Sequence, residues 1–80
     1  MTLQTYWRMT SGCTRATRCR CLYGGIVIYE NPYCLLDREQ KDIEIRKAFY
    51  NMLNDTLTVY ATDTGMENYV RSVENERPKR

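Results

Sequence analysis

The stretch DREQKDIEIRKAFYNML, Asp37 to Leu53, decides how this 80-residue chain is read. On a wheel of about 100° per residue, Ile45, Ala48, Phe49, Met52 and Leu53 share one arc, the spacing of a helix with a buried face. Asp37 with Gln40 three residues on fits a capping box. Acidic Asp37 and Glu39 precede basic Arg46 and Lys47, the polarity a helix dipole favours. The spacing therefore predicts one helix over 37–53. Leu36, Ile43 and Tyr50 recur at seven-residue spacing away from that arc. They widen the buried face or, alternatively, form a partner surface around Ile43 and Tyr50.

Before this stretch, TLQTYWRM (2–9) sets Leu3 and Trp7 against Gln4, Tyr6 and Arg8, which reads as a half-buried strand. TSGCTRATR (10–18) holds no period and contains Ser11-Gly12, a turn signal, so it reads as a basic loop. Cys19 to Tyr29 is rich in β-branched and aromatic residues and reads as a central strand, bent or bulged at Gly24-Gly25 and ended by Asn31-Pro32. After the stretch, Asn54-Asp55 marks a turn and Thr56–Thr62 alternates as a third strand. Thr64 and Glu67 then suggest a capping box for a helix carrying Met66, Tyr69, Val70 and Val73. ERPKR (76–80) reads as a disordered polar tail.

The expected architecture is a single α+β domain over residues 1–75, in the order β-β-α-β-α. It has a three-stranded mixed sheet with two helices on one face, and its second and third strands run parallel. With 80 residues and 42% hydrophobic content, such a domain is small and of modest stability. No run approaches the length of a membrane span, and the N-terminus lacks the basic-then-apolar order of a signal peptide, so the expected setting is intracellular, in the cytoplasm.

Net charge is only +2, which argues against strong non-specific nucleic-acid binding, although Arg8, Arg15, Arg18 and Arg20 precede any acid in the chain. Histidine is absent, which removes the commonest general base. Cys13, Cys19, Cys21 and Cys34 are spaced C-x5-C-x-C-x12-C. That spacing lacks the short knuckles of structural zinc sites, so free thiols are the default, with zinc and disulfide pairing as alternatives. Catalysis has little support, and the expectation is a non-enzyme without cofactor.

Side-chain parity along the three strands places Tyr6, Arg8, Tyr23, Tyr29 and Tyr60 together on a face no helix remains to cover. Tyrosine and arginine suit protein interfaces, so the leading expectation is a small regulatory or adaptor protein that binds another protein or a second copy of itself. The alternative is a single-stranded nucleic-acid binder that stacks bases on the same tyrosines, aided by Arg15, Arg18 and Arg20. Against both stands the plain reading that tyrosine is simply a common strand residue.

Overall fold

Thr2 begins the chain's first element, its side-chain oxygen accepting the Thr5 N–H at 3.2 Å. In this computed structural model, which describes residues 1–76, the cap starts helix α1, Leu3–Met9. The expected first strand is thus a helix. Leu3 and Trp7, read as alternation, are also one helical turn apart, and with Tyr6 they pack against the core. Trp7 stacks on Tyr33 with ring centroids 3.8 Å apart, and its indole N–H donates to the Thr14 carbonyl at 2.9 Å.

Gly24 and Gly25 have φ of +60° and +82°, the conformation of a two-residue hairpin turn that only glycine adopts freely. The glycines therefore do not bend one strand. They split it into β1, Arg18–Tyr23, and β2, Ile26–Pro32, which pair antiparallel. The expected three strands become four. A 3-10 turn, Tyr33–Leu35, follows and buries Tyr33.

The anticipated 17-residue helix over 37–53 is replaced by a single turn and a strand. Helix α2 spans only Arg38–Lys41, and Gln40 Oε1 accepts the Asp37 N–H at 2.8 Å, so the expected capping box is present. β3, Ile45–Asn51, then runs antiparallel to β4, Thr56–Ala61. Ile45 faces Ala61 and Lys47 faces Tyr60, which leaves Arg46 as an extra residue in the ladder. That bulge puts Ile45 and Ala48 on one side of the sheet at a spacing of three, imitating a helical stripe. Met52 and Leu53, assigned to the buried arc, are instead exposed in the β3–β4 turn.

β1 and β4 pair in parallel, as expected for strands joined by a crossover, and the mixed sheet has the order β2-β1-β4-β3. Helix α3, Asp63–Glu76, closes the domain. Its cap is Thr62, whose hydroxyl accepts the Gly65 N–H at 2.8 Å, two residues before the capping box expected at Thr64. The tail expected over 76–80 lies outside the described residues beyond Glu76, which still belongs to α3. Leu3, Cys19, Cys21, Tyr29, Tyr33, Leu36, Ile43, Ile45, Leu57, Val59 and Ala61 form the core, with Tyr69 of α3 packed against it. Among the described residues, no helix is long and apolar enough to cross a membrane.

Candidate functional site

Strand register determines which side chains share a face. Cys19, Cys21, Leu57, Val59 and Ala61 point into the core. Their even-numbered neighbours must then point the other way. Reading across the sheet, Glu30 of β2, Arg20 of β1, Thr58 of β4 and Phe49 of β3 form one row. Val27, Leu22, Tyr60 and Lys47 form the next. Arg18 lies beside Thr56 in the row beyond.

The face so defined is accessible and carries mixed chemistry. Phe49 is 60% exposed and Val27 46%, while Leu22, Thr58 and Tyr60 are half-buried. Lys47 Nζ sits 5.6 Å from the Tyr60 ring centroid, within the range of a cation–π contact. Glu30 Oε2 accepts from Arg20 Nη2 at 3.2 Å and lies 3.7 Å from Arg18 Nη1. Arg20 Nε is buried without a hydrogen-bond partner.

The tyrosines read as one surface are dispersed. Tyr60 alone stands in the middle of this face. Tyr29 is 8% exposed and lies in the core, where its hydroxyl donates to the Gln40 carbonyl at 2.7 Å and its ring meets Tyr69 at 5.5 Å. Burial raises its pKa. The Ile28 bulge, opposite the step from Cys21 to Leu22, shifted the parity of β2 and turned Tyr29 inward. Tyr6 is on α1, packed against the core, and Arg8 is in the same helix's last turn. Tyr23, at the end of β1, donates to Asp63 Oδ1 at 2.8 Å, and that bond raises its pKa.

Ile43 is a core residue, not part of a surface patch, because it lies in the extended run into β3 beside α1. Tyr50 faces inward on β3, and its hydroxyl donates to Asp55 Oδ1 at 2.7 Å. Of the arginines, Arg18 and Arg20 reach the open face, while Arg15 is in the exposed loop before β1. Phe49 and Lys47 escaped sequence reasoning because both were assigned to the helix. The alternation Ile43, Ile45 ahead of them was the available signal.

The cysteines are all free. Cys19 and Cys21 are buried, Cys13 is half-buried and Cys34 exposed, and no cluster of three or more potential metal ligands occurs among the described residues. Burial pushes the Cys19 thiol up to about 12 and raises those of Cys13 and Cys21. Those thiols are held against forming the thiolate that both metal ligation and nucleophilic attack require.

No protein-family model matches the chain, and the comparisons with curated proteins and with solved structures yield no match.

Proposed function

We propose that this protein is a non-enzymatic binding module that holds single-stranded nucleic acid against the sheet face bearing Arg18, Arg20, Lys47, Phe49 and Tyr60. The observation that carries the reading is the placement of two aromatic rings on adjacent strands, in rows that also hold Arg20 and Lys47. Every base has a flat apolar face, so a ring exposed as Phe49 is can stack one, at about 1–3 kcal/mol per base. Cations on flanking positions meet the phosphates. From β1 to β3 is two strand spacings, about 10 Å, so one stretch of backbone can cross both arginine and aromatic columns. A duplex keeps its bases stacked on each other and offers none to such a face, which favours single strands.

The same face also holds apolar Leu22 and Val27, which would suit a protein partner, the first expectation from the sequence. Salt separates the two. A labelled mixed-sequence oligonucleotide, DNA or RNA, is titrated at several salt concentrations. Binding should weaken by a slope of about −0.7 for each phosphate contact, and Phe49→Ala or Tyr60→Ala should each weaken it about 5- to 150-fold. Absence of binding even at low salt would overturn the proposal. Salt-insensitive capture of a protein that Phe49→Ala abolishes would transfer the face to a protein partner.

A further inference from the structure

Glu30 holds an unusual position on the proposed binding face. It is the one acid in the described rows that contain Arg18, Arg20 and Lys47, and a single oxygen, Oε2, serves both arginines, at 3.2 Å from Arg20 and 3.7 Å from Arg18. Strand pairing fixes it there, since Glu30 lies directly across from Arg20. The pairing is incomplete, because Arg20 engages the carboxylate through Nη2 while its buried Nε has no partner. A planar guanidinium prefers to offer two parallel N–H groups to a two-oxygen anion.

From this geometry we infer that Glu30 is an intramolecular competitor for ligand phosphate, its carboxylate standing where a phosphodiester oxygen would meet Arg18 and Arg20. The inference rests on the nucleic-acid reading above and specifies where the backbone enters. Binding there is an exchange of one anion for another, and the displaced carboxylate remains close enough to repel the phosphate. Phosphate contacts alone then gain little. A ligand needs stacking on Phe49 and Tyr60 as well, so Glu30 lowers the affinity of every polyanion alike and sets a threshold that one without bases does not reach.

The test compares the wild-type chain with Glu30→Gln and Glu30→Asp on two ligands, an oligothymidylate and a backbone of equal length without bases. Glu30→Gln removes the charge at constant shape and should tighten both ligands about 2- to 30-fold, the scale of two partly exposed ion pairs. Glu30→Asp keeps the charge and should stay near wild type. In the wild-type protein, the Glu30 carboxyl carbon and the Arg20 Nε–H resonances should move together as oligothymidylate is added, a readout that needs no variant.

Wild-type binding with a Glu30→Gln affinity unchanged or weaker would overturn the competitor role and leave the proposed function standing. Equal tightening by Glu30→Asp, or a Glu30 carboxyl resonance that stays fixed at saturation, would do the same. If the wild type does not bind oligothymidylate even at low salt, the proposed function falls and this inference with it.

Discussion

At the scale of single residues, Asp55 joins three parts of the chain. Its carboxylate accepts from Tyr50 on β3 at 2.7 Å and from the buried Thr17 hydroxyl at 2.8 Å. Its carbonyl accepts the Arg18 N–H at 3.1 Å, where β1 begins. The backbone there has φ of +50°, a conformation Asp and Asn tolerate better than most residues. The two hydroxyl donors, Tyr50 first, hold the Asp55 carboxyl below the usual carboxylate range. A lowered pKa means the folded state favours the ionised form. Its stabilisation is therefore complete above the unfolded value of about 3.9 and is lost as pH falls through the lower folded value. Tyr50 has the opposite sign. Donation to Asp55 pushes it up to about 12, so its contribution is present below about pH 10 and disappears as pH rises through 12. Thermal unfolding of Asp55→Asn should show a shallower loss of stability than wild type below pH 4, and Tyr50→Phe a shallower loss above pH 10. Parallel curves at both ends would remove the cluster's proposed role. None of this was legible beforehand beyond the turn at Asn54-Asp55, because hydroxyls 5 and 38 residues from Asp55 along the chain leave no local signature.

Elements were legible where local chemistry and tertiary pairing agreed. β4 and α3 satisfied both, since their alternation and helical spacing are uninterrupted. The capping box at Asp37 and Gln40 was also a true local signal, but it specifies one turn and says nothing about residues 43–51. There the Arg46 bulge turned a period of two into a spacing of three, and a strand presented a helix's pattern. In the same way the Ile28 bulge reversed the expected face of Tyr29. A bulge is a property of the ladder, so its effect on parity becomes visible only with the partner strand. Gly25, in the β1–β2 turn, and Gly65, in α3, matter for different reasons. Gly25 has φ of +82° and an added Cβ would meet nothing within 4 Å, so Gly25→Ala should cost about 1–2 kcal/mol from backbone strain alone. Gly65 has no such φ, yet a Cβ there would run into the Glu44 carbonyl. Gly65→Ala must push α3 off the Glu44 backbone just before β3, with an overpacking cost of about 1–3 kcal/mol or more. Denaturant midpoints would report both losses. Crystal structures of the variants should show the helix displaced for Gly65→Ala and the fold unchanged for Gly25→Ala.

Taken as a whole, the molecule separates the face that folds it from the face proposed to bind. Both sheet edges discourage strand addition. β2 carries the Ile28 bulge and ends at Pro32. β3 has the Arg46 bulge and exposed Lys47, and its approach is paired to Met1–Leu3 through Thr2 and Glu44. Bulges, lysine and proline are the usual devices against edge-to-edge association, which under the proposed function leaves recognition to a face. The inward face supplies the stability. Leu57 and Val59 have no exposed surface and sit in the middle of the core, whereas Phe49, two strands from β1 and on the opposite face, is mostly open to solvent. Leu57→Ala should lose about 2–5 kcal/mol, a large part of the 5–15 kcal/mol that a natural domain possesses. At roughly 4–8 °C per kcal/mol for a domain of this size, its thermal midpoint should fall by about 8–40 °C. Phe49→Ala should move the midpoint by only a few degrees, since an exposed substitution is usually within about 0.5 kcal/mol of neutral, while removing most of the oligonucleotide affinity. A large midpoint loss for Phe49→Ala would show that its ring is part of the fold, and the division between the two faces would fail.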